Sequence, residues 1–321
     1  MVLGVFYALI AGVLWGLVFI VPLLLPEQSP ALLSLGRYLA FGLVCLPLAV
    51  FQWRALKALS WHDWRWAFAL SVIGNFVYYG FLAFSIQTLG NPLPALIIGT
   101  LPIVIAVCAN LGIAQVTDSL QSRRIAWRTL ALPVALLLVG LLCLNWEELQ
   151  GMSALSARHY WLGLLAALLA VAAWTWYPLY NDRHLKRAEQ QSTAIQSVTW
   201  ATAQGLATLL PAAVLFAAFA WQAQDLKAGM AEIFAQFTPL YWMLMFTLGF
   251  ASSWLGTLCW NAACQRLPAA ISGQLIVFET LAALAFGYAY RGQWPSMLSA
   301  LGIALLVAGV LLGVRCFTRI K

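Results

Sequence analysis

The chain has 321 residues, of which 63% are hydrophobic and only 8% are charged, and its mean hydropathy is +0.87. About a quarter of the residues of a soluble domain are charged, so this composition excludes a cytosolic enzyme and predicts an integral membrane protein. Because a helix needs about 20 apolar residues to cross the hydrocarbon core, the chain is long enough for about ten spans and leaves no room for a sizeable soluble domain.

Ten apolar runs follow one another along the chain, each about twice as long as a membrane-spanning β-strand. They predict an all-α integral membrane protein with ten transmembrane helices. The predicted helices cover roughly residues 2–25, 32–51, 66–88, 94–116, 128–145, 160–180, 192–219, 239–263, 270–290 and 295–314. The first run is too long for a cleaved signal peptide and has no basic segment before it, so we interpret it as the first span.

The basic residues accumulate in alternate connections, as the positive-inside rule requires. With ten crossings and both termini in the cytoplasm, thirteen of the 17 Lys and Arg residues lie on the cytoplasmic side, three lie outside and Arg37 lies within a span. This asymmetry explains the net charge of +7 as a mark of topology, so no nucleic-acid partner is expected. The expected location is the inner (cytoplasmic) membrane, and the expected partners are the lipid bilayer and a small-molecule substrate.

Three segments of the first half recur, in chain order, in the second half. The matching pairs are Gly4–Trp15 with Gly163–Trp174, Gln28–Leu35 with Gln191–Val198, and Ala131–Gly140 with Ala300–Gly309. They predict two five-helix repeats, over residues 1–150 and 151–321. Since each repeat has an odd number of crossings, the second enters the membrane from the opposite side, and such inverted repeats favour a site near the midplane that is reached alternately from the two sides.

The fourth, ninth and tenth predicted helices carry stretches of distinctive sequence. These are Pro94–Ala106 around Leu101-Pro102, Ala269–Ala283 around Glu279, and Gly302–Val310. They resemble the drug/metabolite transporter superfamily, in particular its EamA-like branch, and the resemblance implies two five-helix repeats and export of metabolites. Thr280 replaces the Pro that often follows the Glu in that family, and the first helix has no acidic residue. The resemblance therefore does not imply the first-helix proton coupling of small multidrug exporters.

Two charged residues fall within predicted spans. Nine of the ten acidic residues lie in loops or at their edges, which leaves Glu279 roughly 15 Å from the cytoplasmic start of the ninth helix, near the midplane. Because an ionised carboxylate there is costly, Glu279 is interpreted either as a proton or cation-substrate site or as a neutral bond between helices. Arg37, roughly 9 Å from the external end of the second helix, either clamps a substrate carboxylate or phosphate or extends outward to the interface.

No residue pattern indicates a cofactor. The six cysteines lie in or beside apolar runs without a CxxC motif, and His62, His159 and His184 fall in predicted connections. No nucleotide-binding or hydrolase motif is present, so an ATP-driven pump would need a partner chain. We therefore expect no metal, no cofactor and no enzymatic activity.

Aromatic and polar side chains also gather within the predicted spans, where they are able to line a cavity. The candidate substrate-binding residues are Trp15, Arg37, Asn75, Tyr78, Tyr79, Trp174, Tyr177, Trp200, Trp260 and Glu279, with Glu279 also the candidate proton carrier. One Arg and one Glu among aromatics suit a small zwitterion with an apolar part. The sequence thus favours a secondary transporter that exports small amphipathic metabolites such as amino acids, as a monomer or homodimer. A sugar-phosphate or nucleotide-sugar exchanger, a membrane-embedded enzyme and a non-transporting membrane subunit are the alternatives.

The predicted topology is tested by labelling introduced cysteines. Cysteines placed beside Arg124 and Arg187 should be shielded from an impermeant thiol reagent applied outside the cell, whereas one beside Glu148 should react. The reverse labelling pattern would invert the topology and move Arg37 to the cytoplasmic half of its helix.

Overall fold

The computed structural model describes residues 2–25, 27–89, 92–113, 127–150, 157–191, 193–225, 237–267, 269–292 and 294–318, and all regular structure within these ranges is helical. The helices are α1 (Val2–Leu24), α2 (Pro30–Phe51), α3 (Trp53–Ala58), α4 (Trp61–Ser71), α5 (Tyr78–Leu89), α6 (Pro92–Gly99), α7 (Leu101–Asn110), α8 (Trp127–Gln150), α9 (Ala157–Gln190), α10 (Ser197–Asp225), α11 (Pro239–Thr247), α12 (Gly256–Cys264), α13 (Ala269–Leu275), α14 (Val277–Arg291) and α15 (Met297–Thr318). The end of the predicted fourth helix, residues 114–116, lies outside the described residues.

Within the described part of the chain, six helical stretches are long and apolar enough to cross a membrane. They are Ala31–Phe51, Trp127–Leu144, Tyr160–Gln190, Ser197–Ala218, Pro239–Cys264 and Ile271–Tyr290, and shorter apolar stretches cover Val2–Val18 and Met297–Gly313. Large apolar side chains such as Leu210 and Trp161 are exposed on the outer surface, as expected of helices that are solvated by lipid. The predicted all-helical membrane class is therefore observed, while the ten crossings and the inverted repeats stay predictions.

Four pairs of consecutive helices are joined through irregular turns. A π-helical segment, π1 (Val72–Val77), joins α4 to α5, and a second, π2 (Leu248–Leu255), joins α11 to α12. The boundary between α6 and α7 falls at Thr100, and that between α13 and α14 falls at Ile276. Segments of this kind weaken the regular hydrogen bonding and allow bends, so the structure has local points of flexure in the middle of the bundle.

Two helices extend beyond the ends that hydropathy predicts. The chain enters α4 through a capping box in which the backbone N–H of Ser60 donates to Asp63 at 2.7 Å and that of Asp63 donates to Ser60 at 3.2 Å. Helix α9 continues ten residues past the predicted end at 180, to Gln190. As a result His62 lies in α4, and His159 and His184 lie in α9, whereas the sequence placed all three in connections. Polar terminal turns are invisible to hydropathy because their stability comes from capping and side-chain pairs.

Glycines allow α1 and α14 to approach closely. A Cβ atom on Gly12 would lie 2.9 Å from the Cβ of Phe278, and one on Gly16 would lie 2.6 Å from the Cβ of Ala282. Both separations are shorter than side chains tolerate, so the two helices pack at this distance only because both positions are glycine. Such stripes of small residues are the usual means of helix association in a bilayer, where burial of apolar surface drives little packing.

Substitution of Gly16 by Ala should lower the melting temperature of the purified protein by several degrees, because α1 and α14 must separate at a cost of about 1–3 kcal/mol. Gly287→Ala on α14 is the matched control, since a Cβ there meets no atom within 4 Å. The control should be neutral or slightly stabilising, because Ala favours the helix over Gly. Equal melting temperatures for Gly16→Ala and the wild type would contradict the close contact.

Candidate functional site

Five aromatic residues from four helices form an aromatic cluster in the interior. Trp15 of α1 contacts Trp260 of α12 and Trp174 of α9, with ring centroids 5.3 and 6.0 Å apart. Trp174 stacks on Tyr78 of α5 at 4.9 Å and on Tyr177 at 5.3 Å. The sequence predicted all five as candidate site residues, and the fold brings them into one contiguous set.

Local geometry explains how these rings meet. Trp174 and Tyr177 are three residues apart on α9 and therefore share a face of that helix. Tyr78 is the first residue of α5 and directly follows π1. A Cβ on Gly256 would lie 2.8 Å from Nε1 of Trp15, so the glycine lets the Trp15 indole pack against the start of α12.

Arg37 points into the bundle. Its Nε donates to Oγ of Ser253 at 3.0 Å and its Nη2 donates to Oγ of Ser252 at 3.4 Å, both in π2. Its guanidinium also lies 5.3 Å from the ring centroid of Tyr38. The two alternatives that the sequence left for this side chain, a substrate clamp and an outward-reaching anchor, both stay predictions.

Glu279 lies in the first turn of α14, immediately after the boundary at Ile276. Its backbone N–H donates to the Ile276 carbonyl at 2.9 Å, and the positive end of the α14 dipole favours a negative charge in this turn. The charges of Glu279 and Arg37 are close enough to interact, and Tyr78 is within range of both. Among the described residues, however, Arg37 and Glu279 do not form an ion pair.

A buried amide network lies beside the aromatic cluster. Oδ1 of Asn181 accepts hydrogen bonds from Nε1 of Trp200 at 2.8 Å and from Nε2 of Gln204 at 2.9 Å, and Nδ2 of Asn181 donates to Asn261 at 2.9 Å. The Tyr177 hydroxyl donates to Oε1 of Gln204 at 2.9 Å, which joins the network to the cluster. Trp200, a predicted cavity residue, is 0% exposed in this network. It shares a hydrophobic core cluster with Trp15 and Trp260, without a ring contact to either of them within the described ranges.

The extension of α9 buries polar residues that the sequence assigned to a connection. Asp182 and Lys186 form an ion pair at 2.7 Å, and Nζ of Lys186 also donates to the carbonyl of Leu267 at 3.0 Å. Nε2 of His184 lies 3.0 Å from Oδ1 of Asp63 in α4. Asp182 is therefore a buried carboxylate within a helix, although the sequence placed it in a loop or at its edge. The signal that was available is the i, i+4 spacing of Asp182 and Lys186.

The remaining predicted site residues lie at the edge of this region. Asn75 is a partly exposed residue of π1, and Tyr79 is the partly exposed second residue of α5. The charge of Arg37 reaches Tyr79 as well. Across the described ranges, no group of three or more His, Cys, Asp or Glu side chains is arranged to hold a metal ion.

Comparison with known proteins relates the whole chain to membrane transporters. The sequence model of the EamA-like transporter family matches residues 2–121 and 161–315. The chain is 40% identical over 316 residues to the inner membrane protein YtfF of Escherichia coli strain K12, covering 98% of this chain and 96% of that protein. It is 21% identical over 308 residues to the uncharacterized transporter YoaV of Bacillus subtilis strain 168, covering 96% and 95%.

A crystal structure that is 16% identical superposes with a TM-score of 0.72, covering 99% of this chain and 98% of its own, and so shares the fold. The family match confirms the resemblance drawn from the fourth, ninth and tenth predicted helices. The chain belongs to the EamA-like transporter family.

Proposed function

We propose that this protein is a secondary active transporter that exports small amphipathic metabolites, such as amino acids or related compounds, by alternating access. The observation that carries the proposal is the position of Arg37 and Glu279 on different helices, where their charges interact although the described residues include no ion pair between them. Tyr78 links this pair of charges to the aromatic cluster. A zwitterion offers a carboxylate to the guanidinium, an ammonium to the carboxylate and an apolar part to the rings.

Equivalent contacts between α8 and α15 support inverted repeats over residues 1–150 and 151–321. A Cβ on Gly140 would lie 2.9 Å from the Gly302 carbonyl, and one on Gly309 would lie 3.1 Å from the Pro133 carbonyl. In the sequence alignment of the two halves, Gly140 corresponds to Gly309 and Pro133 to Gly302, so these are the same contact made twice. The residue numbers rise along α8 as they fall along α15, so the two corresponding helices run antiparallel.

The irregular turns support the same relation. The π1 segment begins at Val72 and π2 begins at Leu248, and the two helix boundaries lie at Thr100 and Ile276. The starts of the two π segments are therefore separated by the same number of residues as the two boundaries. The family model also matches the chain in two stretches, one in each half. Two related halves with matched points of flexure are suited to opening a shared site to one side and then to the other.

Proton coupling follows from the chemistry of a single carboxylate. Glu279 holds either a proton or the ammonium group of a substrate, and the two ligands exclude one another. A proton that arrives from outside therefore displaces the substrate outward, and loss of that proton inside allows the next substrate to bind. In this scheme Glu279 couples the inward movement of a proton to the outward movement of a metabolite.

Counterflow in proteoliposomes tests the proposed class. The substrate is the amino acid that raises the melting temperature most in a thermal-shift screen, because a ligand stabilises the state that binds it. Exchange of labelled for unlabelled amino acid supports the transporter. Chemical turnover without translocation would support a membrane enzyme, exchange of sugar phosphates alone would support the exchanger, and neither activity would support a non-transporting subunit.

Replacement of Glu279 by Gln removes the titration while keeping the size of the side chain. We expect the variant to lose accumulation driven by a pH gradient in proteoliposomes, with substrate binding partly retained. Glu27→Gln, which changes an exposed carboxylate, is the control and should accumulate substrate as the wild type does. Full accumulation by Glu279→Gln at normal expression would rule out the coupling role.

Replacement of Arg37 by Gln should weaken binding of the amino acid by about tenfold to a hundredfold, the usual worth of a charge-assisted hydrogen bond. The amide derivative of the same amino acid lacks the carboxylate, so its affinity should be nearly equal for the variant and the wild type. Isothermal titration calorimetry measures both ligands. Equal losses for the acid and the amide would show that Arg37 supports the fold without clamping the carboxylate.

A further inference from the structure

A pocket of about 920 Å³ lies between α4 and α9, on the side of the bundle that the basic residues mark as cytoplasmic. We refer to it as the α4–α9 pocket. Arg183, Arg187 and His184 line it from α9, and Asp63 and Trp66 line it from α4. It shares no lining residue with the aromatic cluster, nor does it include Arg37 or Glu279.

Two buried donors at this pocket have no hydrogen-bond acceptor among the described residues. The Oγ1 atom of Thr199 is one, and its residue is only 3% exposed. The Nε atom of Arg183 is the other, and Nε2 of His184 is a third buried polar atom of the lining that makes no hydrogen bond within the described ranges. A buried donor without an acceptor is costly, so both positions favour a ligand that presents oxygen atoms to them.

The charge of the pocket favours an anion. Oδ2 of Asp63 accepts from the backbone N–H of Ser60 at 2.7 Å, and its Oδ1 lies 3.0 Å from Nε2 of His184, so Asp63 sets one negative charge against the two guanidinium groups of Arg183 and Arg187. Neither Arg183 nor Arg187 forms an ion pair within the described ranges. Two guanidinium groups are therefore left to attract a carboxylate or a phosphate, which they are able to bind with paired hydrogen bonds.

Two rings that line the pocket, those of Trp66 and Tyr180, belong to a stack of three aromatic rings. Trp66 stacks on Tyr180 at 5.8 Å and on Trp176 at 5.9 Å, and Trp176 stacks on Tyr180 at 4.9 Å. Nε1 of Trp66 donates to Nε2 of His62 at 3.0 Å, which fixes the orientation of the indole. A rigid aromatic wall favours a ligand with a flat apolar body.

We propose that the α4–α9 pocket is a second ligand site, which binds a small organic anion made of a carboxylate or phosphate head and a flat apolar body. His184, which lines the pocket, stacks on Trp200 of the buried amide network at 4.7 Å. A ligand held there is separated from the aromatic cluster by that network. The role of the site as a capture site for export rests on the proposed function, whereas binding itself does not.

Binding is measured by isothermal titration calorimetry on the full chain in nanodiscs of phosphatidylcholine. The probes are phenylacetate, phenethylamine, which has the same ring but a positive charge, and acetate, which has the charge but no ring. Wild-type protein should bind phenylacetate at least tenfold more tightly than either of the other two. This comparison needs no variant, and equal or weaker binding of phenylacetate overturns the proposal.

Variants assign the binding to the pocket. Arg183→Gln and Arg187→Gln should each weaken phenylacetate binding by about tenfold, the loss of one charge-assisted contact. Arg65→Gln removes an exposed arginine of α4 that does not line the pocket, and it should bind phenylacetate as the wild type does. Glu279→Gln and Arg37→Gln should also leave this affinity unchanged. Loss of binding in those two variants, with normal binding in Arg183→Gln and Arg187→Gln, would move the ligand to the other site and overturn the proposal.

Anionic lipid offers the same head-group chemistry as a soluble anion. Nanodiscs that contain phosphatidylglycerol separate the two sources, and the proposal expects phenylacetate to bind with the same affinity in these discs. Loss of phenylacetate binding there would identify the pocket as a lipid head-group site and overturn the soluble ligand. If counterflow fails while phenylacetate still binds, the result contradicts the proposed export function and supports the second site.

Discussion

The cost of charge within a low-dielectric bundle is the constraint on which the rest of this structure depends. Few charged residues lie inside the helices, and those that do have polar surroundings. Arg37 donates to two serines of π2, and Asp182 is paired with Lys186. Arg37 and Glu279 stand apart from one another without an ion pair between them. In the proposed function, a ligand that carries both charges supplies a counter-charge to each of these two groups.

The same medium explains how the helices are held together. Lipid tails are as apolar as leucine, so association depends on close backbone approach and on hydrogen bonds between side chains. Glycine contacts allow this close backbone approach between α1 and α14 and between α8 and α15. The buried amide network provides the hydrogen bonds between side chains, because Asn181 joins α9 to α10 and α12. The network also stands between the two regions for which we propose ligands.

Hydropathy and charge predicted the membrane class and the approximate positions of the helices, because these depend on average composition over about 20 residues. They also identified the aromatic cluster, since aromatic residues in a span are conspicuous. The sequence did not predict the last ten residues of α9. Asp182, His184 and Lys186 are polar residues typical of a loop, and their interaction partners are known only from the structure. The hydrogen-bonded position of Trp200 was also not predictable from the sequence. Its burial depends on Asn181, and the hydrogen bond between them joins two helices whose packing the sequence does not reveal.

The two π-helical segments have a geometric consequence for the side chains that follow them. A π turn holds about one residue more than an α turn, and one residue corresponds to roughly 100° of rotation about the helix axis. Tyr78 comes directly after π1, and Trp260 comes after π2. The direction in which each ring points about its helix axis therefore depends on the extra residue in the preceding π segment. The contacts of Tyr78 with Trp174 and of Trp260 with Trp15 therefore depend on the two π segments.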